Sequence, residues 1–315
     1  MSDTGTYLRH PSSFEHDTGG HPENAGRLRA IEAALEQRDW LGLDVVEAPA
    51  ATLEQLMRVH TLAHIEAIEE LSARGGGMID MDTLASAGSY NAALHSAGAA
   101  VAAVDLVIGG DAPFAFCATR PPGHHAEASR AMGFCLFNNI AVAAEHALTE
   151  HDAGRVAVID WDVHHGNGTE AIFYETDRVL YTSIHQSPLY PGTGAAADTG
   201  VGPGEGWTVN CPVPGGSARD EFIGALDSQI LPAVRRAEPG LVAISAGYDA
   251  HVDDPLASCA LRTEDYREMT ARVRDAAAEL GAPVVVCLEG GYDPAALAAS
   301  VVVTLEALGA SPGLA

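Results

Sequence analysis

Short segments rich in apolar residues, each read as a strand, recur along the chain at residues 114–119, 156–159, 179–185, 208–213, 241–246 and 283–288. The run 156–159 is apolar throughout and reads as a strand covered on both faces. Apolar residues spaced three and four apart predict helices over 24–38, 62–72, 90–108, 137–149, 219–236 and 263–280, with a helical turn over 169–174. Punctuation supports these bounds. Gly75, Gly76 and Gly77 end the second helix, Thr263 and Asp265 stand at the start of the sixth, and Pro232 falls inside the fifth. Asp293 with Pro294 behind it opens a last helix. Residues 1–20 are polar and glycine-containing and read as an irregular arm. The Gly/Pro-rich loop over 187–206 is long enough to suspect function. Strands alternating with helices predict one α/β domain over 1–315, with a mainly parallel sheet flanked by helices, and no repeat or linker.

At 315 residues, 47% hydrophobic and 19% charged, the chain has ample material for one large core. No apolar run is expected to reach membrane-spanning length, and the N-terminus lacks a signal-peptide pattern, which gives a cytoplasmic expectation. The five cysteines are odd in number and without a CxxC pair, so they read as buried, reduced thiols. The net charge of −26 sets 43 acids against 17 bases, and with no lysine present every base is an arginine. That balance argues against direct nucleic-acid binding, which requires a basic footprint. It favours cationic substrates only diffusely, because net charge serves solubility first.

Chemistry begins where the run Val156-Ala157-Val158-Ile159 stops. Asp160, Asp162 and His164 alternate there, and an extended backbone points all three to one side. Buried carboxylates are costly unless paired or metal-bound, and Asp oxygen with His nitrogen suits Zn²⁺ or Fe²⁺. Gly166 and Gly168 then let the chain turn away. Three further strand ends carry unusual groups: His124-His125 behind Arg120-Pro121-Pro122-Gly123, Asp249 behind Gly247-Tyr248, and Tyr292 behind Gly290-Gly291. Ends of parallel strands converge at one edge, so these groups can meet, with Asp162, His164 and Asp249 as a metal-ligand set.

In order along the chain, several motifs resemble the histone deacetylase superfamily, especially its class II and bacterial deacetylase-like branch. They are His21-Pro22-Glu23-Asn24 with Arg27, residues 120–126, Gly133-Phe134-Cys135-Leu136-Phe137-Asn138, and residues 160–168. They continue with Ser183-Ile184-His185, Tyr190-Pro191-Gly192-Thr193-Gly194, residues 245–251, Asp254-Pro255-Leu256 and Glu289-Gly290-Gly291-Tyr292, spanning about 20–305. The resemblance implies an arginase/deacetylase fold with an eight-stranded parallel sheet. It implies a zinc-dependent amidohydrolase with Zn²⁺ on Asp162, His164 and Asp249. His125 would be general base and acid, His124 its electrostatic partner oriented by Asp160, and Asn167 a support for His125. Tyr292 would bond the substrate carbonyl. Phe134 and Tyr190 would line an acyl-lysine tunnel, with Gly123 in its wall, Leu256 at its rim and Asp82 gripping substrate backbone. Arg27 would lie near an acetate channel. A structural K⁺ would use Asp160, Asp162, His164, Ser183 and Ile184, and a second monovalent site would use Phe173, Thr176 and Val179.

Tyr190 departs from the family's usual tunnel Phe, while Tyr292 stands where some weakly active members have His. The implied substrates are acylated lysine side chains or small acylated amines. Rival readings are an acetylpolyamine hydrolase, an arginase-type ureohydrolase and a non-catalytic acyl-lysine binding module. The second needs another aspartate cluster for two metals, and the intact Tyr292 and ligand set count against the third.

Overall fold

The computed structural model describes residues 4–311. Among the described residues there are ten strands: β1 Thr6–Arg9, β2 Asp44–Glu47, β3 Gly76–Met78, β4 Leu84–Ser86, β5 Phe114–Cys117, β6 Val156–Asp160, β7 Val179–Gln186, β8 Thr208–Val213, β9 Leu241–Ala246 and β10 Val284–Leu288. The α-helices are α1 Gly26–Glu36, α2 Leu53–Met57, α3 Leu62–Ala73, α4 Ser89–Gly109, α5 Asn139–Glu150, α6 Asn167–Phe173, α7 Arg219–Ala225, α8 Leu231–Ala237, α9 Thr263–Leu280 and α10 Pro294–Leu308. Eight strands form one sheet in the order β2-β1-β5-β10-β9-β6-β7-β8, and every pairing is parallel. β3 and β4 form a small antiparallel hairpin.

The two sheet faces bury two separate cores. One packs Leu28, Trp161, Ile244, Met269 and Val301 under α1, α9 and α10. The other packs Leu8, Val104, Phe137, Val158 and Val285 under α3, α4 and α5. Strands covered on both sides explain the apolar-rich segments. The crossover order inserts β9 and β10 between β5 and β6. The four strands whose ends carry the candidate chemistry are therefore neighbours.

The expected irregular arm is corrected. Residues 1–3 lie outside the described residues, but Thr6–Arg9 is a strand between β2 and β5 with Tyr7 and Leu8 fully buried. The expectation that no apolar run reaches membrane length is also corrected. α4 has 21 residues and is long and apolar enough by composition. It is a core helix here: its small residues let it lie against the chain, and a Cβ on Gly98 would come 2.0 Å from the Pro49 carbonyl oxygen. Gly76 and Gly77, expected only to end a helix, are part of β3.

The predicted helix over 219–236 is α7, one π turn at Leu226–Ile230, and α8. Pro232 lacks an N–H and its ring opposes a regular turn behind it, and the wider turn accommodates it. Asp293 caps α10 by accepting from Ala295 and Ala296 main-chain N–H at 3.0 and 2.8 Å. At α9, Asp265 reaches back to the Arg262 N–H at 2.8 Å.

Candidate active site

β6 ends at Asp160, and the chain from Trp161 to His165 is bent. Strict alternation therefore fails, and the Asp160 carboxylate stands outside the Asp162, His164 and Asp249 group. Its Oδ2 accepts from His124 Nδ1 at 2.9 Å and its Oδ1 from the Asp162 N–H at 3.1 Å. Asp249, on the chain leaving β9, supplies the third ligand position. His164 Nδ1 lies 3.1 Å from Asp162 Oδ1 and 3.2 Å from Asp249 Oδ2.

The donor atoms of Asp162, His164 and Asp249 lie within 4.8 Å of one another. The remaining carboxylate oxygens are held by backbone: Gly290 N–H donates to Asp162 Oδ2 at 2.8 Å, and Val163 N–H to Asp249 Oδ1 at 2.9 Å. A Cβ on Gly290 would come 2.1 Å from Asp249 Oδ2 and 2.5 Å from Asp162 Oδ2, so this cradle requires a glycine. Burial opposes charge on His164, yet its bonds to Asp162 and Asp249 push its pKa up to about 10. Two buried carboxylates thus draw positive charge to one point. A divalent ion with a taste for nitrogen and oxygen fits that donor set.

The adjacent histidines are driven apart electrically. Burial opposes charge on His124, but Asp160 and then Asp162 raise its pKa to about 10. Burial and then the charge of His124 hold His125 well below the usual histidine range. His125 Nδ1 donates to Asn167 Oδ1 at 2.8 Å, and Asn167 Nδ2 donates to Glu127 Oε1 at 3.0 Å. That chain leaves Nε2 as the basic nitrogen of a ring lining the cavity.

The cavity above these groups has a volume of about 190 Å³. His125 and His164 reach its floor, Phe134, Tyr190 and Tyr292 wall it, and Leu256 and Asp82 also line it. The Tyr190 ring stands 5.2 Å from that of His125 at 84°, and the Phe134 ring 5.8 Å from that of Tyr292 at 89°. Burial, with the charge of Asp249, pushes the Tyr292 hydroxyl well above the phenol range, so it stays a donor. Arg27 lies over the Tyr292 ring at 5.1 Å and donates through Nε to the Gly291 carbonyl at 2.7 Å.

Gly123 is a correction. The glycine of the wall is Gly133, where a Cβ would come 2.3 Å from the His125 ring. Gly123 sits behind the site, donating its N–H to Glu289 Oε2 at 2.7 Å and packed against Asn139.

Sequence reasoning assigned no role to Glu289. It also accepts from the His124 N–H at 3.2 Å and from Ser245 Oγ at 3.1 Å, and burial raises its pKa to about 7. Its signal was an acid directly after an apolar strand. Asp254 was noted only within a motif, although its carboxylate binds the backbone on both sides of the cavity.

Of the implied potassium residues, Ser183 stands opposite Asp160 in the β6–β7 register, and its Oγ lies 2.9 Å from His185 Nδ1. Asp162, His164 and Ile184 adjoin them in sequence. Phe173 and Thr176 share a turn, Thr176 N–H to Phe173 oxygen at 3.2 Å, and Val179 opens β7.

Fold and site together define an α/β protein with a triad of side chains that could hold a metal ion and a polarised histidine pair at the carboxyl edge of a parallel sheet. The chain belongs to the histone deacetylase family: a family model described as Histone deacetylase domain matches residues 21–308. A histone deacetylase-like amidohydrolase of Pseudomonas aeruginosa is 44% identical over 88% of this chain and 73% of that protein. A probable deacetylase of Methanothermobacter thermautotrophicus is 42% identical over 96% of this chain and 89% of its own length. The crystal structure of the HDA15 HD domain aligns with a TM-score of 0.93 at 36% identity, covering 100% of this chain and 92% of that one.

Proposed function

We propose that this protein is a zinc-dependent deacetylase that hydrolyses the amide of N-acetyl-lysine to acetate and a free amine. The observation that carries this reading is the placement of His125, His164 and Tyr292 around one narrow, largely apolar cavity. Asp162, His164 and Asp249 would hold Zn²⁺, with Fe²⁺ compatible with the same donors. When bound, the ion supplies Lewis acidity toward a carbonyl oxygen and lowers the pKa of a coordinated water.

The chain's own groups supply the rest. His125, kept neutral by its burial and by the charge of His124, takes the proton of the attacking water and passes it to the leaving nitrogen. Tyr292 donates to the developing oxyanion. Phe134 and Tyr190 shield the aliphatic stem of the substrate, and Asp82 accepts from its backbone. Asp160, Asp162, His164, Ser183 and Ile184 would hold a structural K⁺, which would fix Asp160 against His124. The cytoplasm is the proposed compartment.

The test is acetate release from an acetyl-lysine peptide by the purified protein. Release that a chelator abolishes and Zn²⁺ restores supports the reading. No release from any acylated peptide or amine, with metal present at stoichiometry, overturns it.

A further inference from the structure

We infer that Asp105, His146 and His151 form a second site for a divalent transition metal, separate from the strand-end triad. Asp105 lies on α4, His146 on α5, and His151 is the residue that closes α5. Five positions apart on a regular helix, two histidines would diverge by about 140°. His151 has left the helical path, with φ −118° and ψ 4°, and its ring swings back to 5.5 Å from that of His146. Both Nε2 atoms lie 2.7 Å from the same oxygen, Asp105 Oδ1.

The site is remote from catalysis. α5 is capped by Asn138, whose side chain bonds the Ala126 carbonyl beside His125. The histidines lie between about 12 and 20 Å further along at 1.5 Å per residue.

Two imidazoles and a carboxylate form the borderline donor set that Zn²⁺, Co²⁺, Ni²⁺ and Cu²⁺ prefer. The carboxyl end of α5 adds the partial negative charge of its last carbonyls, which favours a cation there. Asp105 stays half exposed, so three protein ligands leave positions open to water.

The same groups can also tie α4 to α5 as a plain hydrogen-bonded triad, and Arg58 separates the two cases. Its Nη1 lies 3.4 Å from His146 Nδ1, which places the histidine proton on Nε2, where the metal must bind. Binding therefore moves that proton to Nδ1 and releases Arg58 to Glu150 and Glu54, which it already touches at 2.6 and 3.4 Å. Arg58 opposes the metal, so its removal should strengthen binding.

The test is equilibrium dialysis of the whole protein against Zn²⁺ and Co²⁺, with metal analysis. Wild type should take up two equivalents. Asp249→Ala should keep the second equivalent while losing the first, whatever becomes of the catalytic reading. His151→Gln and Asp105→Asn should lose the second while keeping the first and the basal activity. Arg58→Ala should bind it about tenfold more tightly, in the range known for groups that act through a ligand. Anomalous scattering at the zinc edge should put a peak among the three side chains. Uptake of one equivalent only, retention of two by Asp105→Asn, or a peak elsewhere overturns the site.

Discussion

The main-chain nitrogen of Tyr292 donates to Asp254 Oδ2 at 2.6 Å, while the other oxygen of that carboxylate accepts from the Leu256 N–H at 2.9 Å. One buried acid thus holds the turn that aims the Tyr292 hydroxyl and the turn that carries the cavity rim. An amide at this position offers one acceptor and one donor, so one of the two N–H groups would face a donor. A buried donor left unpaired costs about 1–3 kcal/mol. Asp254→Asn should therefore lower kcat about tenfold or more with little change in KM. Steady-state kinetics beside a thermal melt checks this: an unchanged kcat would show that Tyr292 is aimed without Asp254.

Tyr292→Phe removes one donor to the oxyanion and leaves the ring packed on Phe134 and Arg27. Loss of such a donor costs about 10²–10³ in kcat. The variant should fold, retain its metal and bind a hydroxamate inhibitor, yet turn over at that reduced rate. A near-normal kcat would remove Tyr292 from the chemistry.

His60 gives a pH prediction away from the active site. Its Nδ1 donates to the Glu127 carbonyl at 3.1 Å and its Nε2 accepts from the Asn138 N–H at 2.8 Å, so it is built in as the neutral ring. Burial, with the neighbouring His64, lowers its pKa to about 3. Above the unfolded value near 6.5, neither state binds this proton and the group contributes no pH dependence. Below it the unfolded chain gains a proton that the folded chain refuses, so stability falls by about 1.4 kcal/mol per pH unit, or about 2 kcal/mol by pH 5. Glu289 and Asp254, both raised to about 7, act in the opposite sense over the same range. The check is therefore a difference. Denaturant unfolding of His60→Gln should give a flatter acid limb than wild type between pH 6.5 and 4, and parallel curves would contradict it.

Leu256 sets the expectation for substrate choice. An acid about 6 Å from a substrate ammonium is worth roughly 3 kcal/mol at an effective dielectric near 20, before desolvation. The apolar rim offers no such partner at this position, so wild type should prefer acetyl-lysine peptides to acetylspermidine in kcat/KM. Leu256→Glu should shift the ratio toward the polyamine by up to ~10². A wild type that already prefers the polyamine at physiological salt would point to Asp82 and the 187–206 loop instead.

How much the sequence disclosed depends on how far each signal reaches. β8, β9 and α9 match their predicted bounds, because a short apolar-rich segment between turn residues and clear helical spacing are local properties. The meeting of Asp162, His164 and Asp249 was legible because polar groups at apolar strand ends are conspicuous. β1 was missed because four residues with only Tyr7 and Leu8 apolar carry almost no period. β2 was missed because all four of its side chains are exposed at the sheet edge. The turn of Asp160 toward His124 depends on where β6 stops, and alternation carries no record of that. Gly123 and Gly133 both precede a ring of the site, and only the packing of His125 on Gly133 tells which one forms the wall. Asp105 lies 41 and 46 positions from its histidines, so no local pattern joins them.

The pairing of Asp160 with Ser183 on one side and Ser245 on the other has a consequence for assembly. Val156 to Ile159 are apolar on both faces, so hydrophobicity alone would let β6 slide past its neighbours by one place at small cost. The carboxylate at its end does not permit it. Drawn one step inward, Asp160 would leave His124 and enter hydrocarbon, where an unpaired charge costs several kcal/mol. The acid that holds the His124 ring is thus also the end stop that indexes the central strand. A chain folded one notch out of step would be unstable before it was inactive, so a stable but catalytically misaligned product is not open to this sheet.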